Sequence, residues 1–195
     1  ALAALAGIVL VGVLAGIVVA IALSLVAFVQ QAWRPYRAEL GRVPGLRGYH
    51  DLSRNPAAER IPGLVIVRFD APLFFANGAV FDDWVRSVVA DAPGPVRTVV
   101  LAAEPITDID TTAVEELVEL DDALAAQGIR LVIAEMKDPV RDTLRRYGLD
   151  ERFGPERFAP TVGAAVDDVT GRLRTDIGPG DVPGDAAAEA RDGSE

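Results

Sequence analysis

Hydrophobic and polar positions are not mixed evenly along this chain. From Ala1 to Val29 no residue is charged and only Ser24 is polar. Crossing the hydrocarbon of a bilayer takes roughly 20 apolar residues at 1.5 Å each, so this run predicts a transmembrane helical segment over 1–31. A helix apolar on every face must otherwise be buried, and the rest of the chain is too small to surround it. The run is longer than one perpendicular crossing, which leaves two expectations: a tilted span, or a break near Gly12 and Gly16 into two short helices. Gly12 and Gly16 also lie four apart on one helix face, where missing side chains let a partner helix approach closely. A secretory signal would have a basic leading region and a shorter apolar stretch, so the chain reads as a piece of something longer.

Past the apolar run, polarity rises abruptly. Trp33, Arg34, Tyr36 and Arg37 suit the headgroup layer as membrane-interface anchors, and the arginine excess marks the cytoplasmic side. The remainder is therefore expected in the cytoplasm. Residues 32–61 carry repeated Pro and Gly, which interrupt helix and withhold donors from a sheet, so an extended juxtamembrane linker is expected there. Leu46, Tyr49 and Leu52 are its candidates for docking on the domain after it. His50, the only histidine, has neither a second His nor a Cys to complete a metal shell and reads as a linker residue.

From residue 62 the periodicity alternates. Gly63–Phe69 and Leu73–Ala76 read as two tightly joined strands, Thr98–Leu101 and Ile129–Ala134 as two more. Val80, Phe81, Trp84, Val85, Val88 and Val89 recur at spacings of three and four with Asp82, Asp83 and Arg86 opposite, and Asn77 stands at the cap of that helix. Ala113, Leu117, Leu120 and Leu124 line a second helix that stops at Gly128. Asp138 is placed to cap a third, with Pro139 in its first turn and Gly148 closing it. A last helix is expected from Thr161 to Leu173. Strands and helices alternating in this way predict an α/β domain over 62–175, with a mostly parallel or mixed sheet and helices packed on it. Residues 176–195, rich in Gly, Pro, Asp and Ala, have too little apolar area to offset ordering entropy and are expected to be a disordered tail.

The candidate chemistry sits at one junction, Pro105 to Ala113, between a strand and the second helix. Ligands of open α/β folds collect at the carboxyl ends of strands, where loop amides and helix N-termini point outward. Asp110, Thr111 and Thr112 are the candidate phosphoacceptor or anion-facing loop, since a phosphoryl group there would meet the positive end of the helix dipole. A purely structural role competes: Asp110 or Thr112 makes a good N-cap, and Thr112 to Glu115 fits a capping box in which Glu115 reaches back.

Composition narrows the function. The chain has 195 residues, no Cys, a formal net charge of -10 and an acidic pI of about 4.6, which argues against nucleic acid as a partner. There is no Gly-rich phosphate loop, no Gly-x-Ser-x-Gly turn, no His beside a nucleophile and no metal-ligand spacing, so neither catalytic residues, a metal nor a cofactor is expected. The pairs Asp82/Asp83, Asp121/Asp122 and Asp167/Asp168 read as solvated helix faces.

Several strings together carry a resemblance. Arg34-Pro35, Leu40-Gly41-Arg42-Val43-Pro44-Gly45, Arg68-Phe69-Asp70-Ala71-Pro72-Leu73-Phe74-Phe75-Ala76-Asn77 and Asp108-Ile109-Asp110-Thr111-Thr112-Ala113 follow the apolar end. In that order the chain resembles the carboxyl end of a SulP-type anion permease, the last membrane segment followed by a STAS domain. The resemblance implies a STAS-like βαβ sandwich, a mixed sheet with helices, in a multi-pass transporter of sulfate or a related anion in the cell membrane. It implies as partners the lipid bilayer, the remaining transmembrane helices and a homodimer contact, with the inorganic or small organic anion bound outside this fragment. The STAS domain would serve regulation, folding or assembly. Asp110-Thr111-Thr112-Ala113 is similar to the Asp-Ser-Ser-Gly motif of anti-sigma factor antagonists, which puts Thr112 at the phosphoacceptor position. The alternative is accordingly a membrane-tethered STAS switch that binds a kinase-like partner.

Overall fold

The computed structural model of the chain describes the backbone of residues 13–33 and 35–176, with side chains over 14–27 and 35–171. Helix α1, Val13–Trp33, leads into strands β1, Arg37–Arg42, β2, Tyr49–Asp51, and β3, Leu64–Phe69. Helix α2, Gly78–Ala90, strand β4, Thr98–Ala102, helix α3, Thr111–Ala125, and strand β5, Arg130–Ala134, alternate as expected. Helix α4, Asp138–Arg146, the short strand β6, Phe158–Ala159, and helix α5, Val162–Asp176, complete the order.

The strands form one mixed sheet in the order β2-β1-β3-β4-β5-β6. β3 to β6 run parallel, with Val67 opposite Leu101 and Leu101 opposite Ile133, while β1 pairs antiparallel with both β2 and β3. Both faces of the parallel part are covered, which is why its strands are apolar at successive positions rather than alternately. Val65, Val67, Phe69, Val99, Leu101, Leu131 and Ile133 face α2 and α3, meeting Phe81, Val85, Leu117, Leu120 and Leu124. Ile66, Val100, Val132 and Ala134 face the other way, onto Val162, Ala165, Val166 and Val169 of α5. Burying one such aliphatic side chain is worth about 1.5–3 kcal/mol, so the two layers together hold the sheet.

The region expected to be a linker supplies two strands. Its prolines fall outside the strands, Pro35 before β1 and Pro44 and Pro56 between strands, and Ala38 and Gly41 are buried within β1. Arg60 reaches back to both carboxylate oxygens of Glu39 at 2.7 Å, and Arg42 and Glu59 exchange backbone hydrogen bonds of 2.8 Å. Gly41 is required there: a Cβ would stand 2.7 Å from the Glu59 carbonyl oxygen. Leu73–Ala76, expected to be a strand, is a loop whose one ladder pairing is an isolated parallel bridge between Leu73 and Ile109. Leu73 plugs the end of the core, fully buried, while Phe75 stays exposed.

The acidic pairs are also corrected in part. Asp82 and Asp121 are buried, while Asp83 and Asp122 are exposed. Arg86 binds Asp82 from one turn away and donates to the Glu119 carbonyl, clipping α2 to α3. Arg152 and Arg157 each reach an oxygen of Asp121 at 3.2 Å, and Arg157 also donates to the Leu131 carbonyl in β5. Burial is tolerated because each carboxylate keeps a charged partner.

Among the described residues no helix is long and apolar enough to cross a membrane. The described side chains of α1 cover 14–27, about 20 Å of helix. The transmembrane part of the expectation over 1–31 is therefore not shown. Residues 1–12, which supply the rest of the apolar run, and 177–195, most of the expected tail, lie outside the described residues.

Candidate functional site

The candidate loop leaves the carboxyl end of β4. Ile106 and Ile109, both buried, root it in the core and leave Thr107 and Asp108 exposed between them. It is held against a second segment, 70–77. The Leu73 amide donates to the Asp108 carbonyl at 3.0 Å and the Asp110 amide to the Leu73 carbonyl at 3.2 Å.

Asp110 is the N-cap of α3 and does two things at once. Its Oδ1 accepts from the Ala113 amide at 2.9 Å, satisfying one of the helix's open donors, and its Oδ2 accepts from the Phe75 amide at 2.8 Å. The capping box from Thr112 to Glu115 is not formed, because α3 begins at Thr111 and Thr112 already lies within its first turn. Thr111 and Thr112 are both exposed. The Thr111 hydroxyl is bonded to the phenol of Tyr147, which follows the last turn of α4, whereas the Thr112 hydroxyl has no hydrogen-bond partner among the described residues.

Asn77 is the N-cap residue of α2, as expected, but its side chain makes no capping bond. Completely buried, it accepts from the Phe74 amide and donates to the Pro72 carbonyl, each at 2.9 Å, and so fixes the 70–77 loop from within. The next residue, Gly78, lets α2 approach α3 closely, since a Cβ there would come within 3.1 Å of Glu116 Cγ. Burial raises the Glu116 carboxyl above its ordinary value, and the charges of Glu119, Asp82 and Asp83 add to the effect. Phe75, exposed beside the Asp110 cap, and Tyr147 are apolar surface at this end of the molecule that the helix periodicity did not single out.

On the opposite face, the carboxyl ends of β3, β4 and β5 open into a cleft of about 530 Å³. Arg42, Arg47 and Arg68 stand among its lining residues together with Glu104, Glu135 and Asp167. Glu135 has a positive φ of 61° and its carboxylate accepts from the Val162 amide at the start of α5, at 3.4 Å. Arg68 is bound to Asp70 at 2.6 Å. Among the described residues no cluster of His, Cys, Asp or Glu is placed to hold a metal ion. Among the described residues the His50 ring makes one hydrogen bond, to the Arg47 carbonyl at 3.3 Å.

The other singled-out positions divide. Tyr36 donates its hydroxyl to Asp51 and lies under Arg54, and Arg37 stacks 5.6 Å from the Trp84 ring centre, so both are turned onto the domain. Gly16 is buried within α1. Gly12, Arg34 and the side chain of Trp33 lie outside the described residues.

Comparison with known proteins bears on this architecture. The family model for the STAS domain matches residues 55–165, more than half of the chain. A probable sulfate transporter of Mycobacterium tuberculosis is 38% identical over 166 residues, covering 85% of this chain and 30% of its own length. A probable sulfate transporter of Arabidopsis thaliana is 35% identical over 164 residues, 80% of this chain and 24% of the relative. The chain thus spans less than a third of the transporters it matches. Among solved structures, the murine Solute Carrier 26 family member A9 anion transporter shares the fold with a TM-score of 0.71 at 21% identity, over 80% of this chain and 25% of that one. A sulfate transporter family protein from Wolinella succinogenes does so with a TM-score of 0.52 at 20% identity, over 64% of this chain and 98% of its own. The chain belongs to the STAS domain family, in the form found in SulP-type transporters.

Proposed function

We propose that this chain is the carboxyl-terminal part of a secondary-active SulP-type anion transporter for sulfate or a related anion, whose STAS domain serves regulation, folding or assembly. One observation carries the reading. The similarity to the mycobacterial sulfate transporter covers 85% of the chain, whereas the STAS match is confined to 55–165, so the likeness continues beyond the domain itself. The exposure of Leu14, Ile17, Val18, Ile21 and Leu25 around α1 supports it, because a helix apolar on all sides needs lipid or other helices as its surroundings.

On this reading residues 1–31 end the transport domain in the cell membrane, with Gly12 and Gly16 against a neighbouring helix. Trp33 and Arg34 mark the cytoplasmic boundary, and the STAS domain lies on that side. The anion binds elsewhere in the full protein, two copies associate, and this fragment contributes no catalytic step. Uptake of labelled sulfate by sealed vesicles carrying the complete protein tests the proposal. Saturable uptake is expected; a complete protein without uptake, but binding a kinase-like partner, would favour a membrane-tethered switch.

The Asp110–Thr112 loop is proposed as the regulatory contact, with Thr112 as the phosphoacceptor, since its hydroxyl is exposed while that of Thr111 is engaged by Tyr147. Phosphate mapping after incubation with cell extract should find Thr112 modified. Modification at Thr111 instead, or none at either, would count against that assignment.

A further inference from the structure

The cleft beside α5 carries its charges in order. It runs between α5 and the β1–β2 hairpin, and residues of both line it. The strand register sets its length. Leu40 pairs with Ile66, Arg68 with Ala102 and Ala102 with Ala134, so Arg42 stands about five strand residues, or ~16 Å, from the level of Glu135 just past β5.

Arg42 and Arg47 hold one end, together with Tyr49 and Asp167. Burial raises the Tyr49 phenol above its ordinary value, the Asp167 charge adds to this and the Arg42 charge opposes it, so the three share that end. Arg42 and Arg47 make no ion pair among the described residues. Glu104, Glu135 and Arg68 hold the other end. There Arg68 is taken up by Asp70 at 2.6 Å, Glu104 meets Lys137 only at 3.8 Å, and Glu135 has its long bond to the Val162 amide. One end thus sets two arginines against one carboxylate, and the other sets three carboxylates against two cations.

The sequence after α5 has the complementary order. Past Asp176 the only basic residue is Arg191, and Asp192 and Glu195 follow it. Residues 191–195 are five positions long, base first and acids after. Residues 177–190, rich in Gly, Pro and Ala, join them to α5. That helix has 15 residues, about 22 Å, and begins with Val162 at the acidic end of the cleft, so the connection must return over that distance. A flexible connection of this length has a root-mean-square reach of roughly 20 Å, which places the segment at the cleft at an effective concentration on the order of millimolar.

We infer that residues 191–195 dock in this cleft as an extended segment, with Arg191 at Glu104 and Glu135 and Glu195 at Arg42 and Arg47. A purely anionic occupant would meet Glu104 and Glu135 unfavourably, whereas a base-then-acid segment meets each end with the opposite charge. The tether favours this segment over one from another protein. The cleft is then covered by the chain itself, and a ligand for it must first displace the segment. Nothing in this depends on α1 entering a membrane.

The chain has no cysteine, so Ala190→Cys gives one attachment point for a nitroxide just before the docked segment. In the isotope-labelled full chain, held in detergent micelles, the amide signals of Glu135 and Gly163 should be about twofold weaker with the nitroxide active than reduced, and the loss should vanish near ~0.5 M salt. Arg191→Glu, which lies past α5, should remove the loss as well. The signals of Arg47 and Gly48, at the far end, should weaken less. A loss centred on Arg47 and Gly48 would assign the attachment to overall acidity rather than charge order. A loss equally strong when label and isotope sit on different chains would assign it to a second copy. Either result overturns the inference, as does an absent loss or one indifferent to both salt and Arg191→Glu.

Discussion

The Asp110 carboxylate and the Phe75 amide, 35 positions apart in sequence, are joined by a hydrogen bond of 2.8 Å. The same carboxylate caps α3 through Ala113. One side chain thus fixes both the start of a helix and the loop that crosses in front of it.

Replacing Asp110 with Ala should cost about 2 kcal/mol, the sum of a lost cap and a charge-assisted bond to a backbone amide. Asp110→Asn should lose about half of that, because its oxygen can still serve Ala113 while its NH2 would face the Phe75 donor. Urea unfolding of the full chain, followed by tryptophan fluorescence, measures the difference. Equal stability of parent and Asp110→Ala would refute the dual role.

Asp121 is buried beneath Arg152 and Arg157, whose side chains keep 31% and 21% of their exposure. Asp121→Ala should therefore destabilise by about 2 kcal/mol, below the ~3–5 typical of fully buried pairs, because both guanidinium groups can turn to water. Thermal melting checks this, with Asp122→Ala, an exposed neighbour, expected to change little.

At Glu116 the sign follows from its raised pKa. A carboxyl that holds its proton more firmly when folded gives its full stabilisation below the unfolded pKa and loses it as pH rises through the folded value. Glu116→Gln should then be more stable than the parent at neutral pH by about 0.3 kcal/mol, the scale of one like-charge pair on a helix. The two should converge below the ordinary glutamate value of ~4.3. A gain that persists at low pH would point to packing instead.

Asp51 has the opposite sign. Hydrogen bonds from the Ser53 hydroxyl and then from Tyr36 hold its carboxyl below the usual carboxylate range. Its contribution is present above the unfolded pKa and is lost as pH falls through the folded value. Asp51→Asn should be less stable than the parent at neutral pH and converge with it below ~3.9. Paired melting curves across that range decide the matter.

Gly41→Ala should destabilise by about 1–3 kcal/mol, since the added methyl meets the Glu59 carbonyl and backbone cannot step aside as a side-chain tip would. Hydrogen exchange at Arg42 and Glu59, which share two backbone bonds, should rise in this variant. Unchanged protection there would show that the close approach is not needed.

Much of the sheet and the helices is readable from local pattern. β3, β4 and β5 are β-branched runs, and α2 and α3 carry apolar residues at helical spacing, so periodicity alone locates them. β1 and β2 are hidden because their pairing depends on partners further along the chain and because Pro44 and Gly45 mark the turn between them rather than the end of structure. Leu73–Ala76 reads wrongly as a strand because an apolar run that seals a core end has the same local composition. At the candidate site, Asp110 as a cap can be read directly. Its bond to Phe75, the burial of Asn77 and the link from Thr111 to Tyr147 depend on distant segments meeting, for which sequence spacing carries no signal. The burial of Asp121 likewise depends on arginines 31 and 36 positions away.

The Tyr36 carbonyl accepts a hydrogen bond from Asp70, Leu73 exchanges bonds with Asp108 and Asp110, and Asp110 in turn grips Phe75 and Ala113. Tyr36 is the third residue after α1. The start of β1 is consequently keyed to the first turn of α3 rather than hung loosely beside it. A twist applied at the top of β1 meets no slack chain before it reaches the first turn of α3.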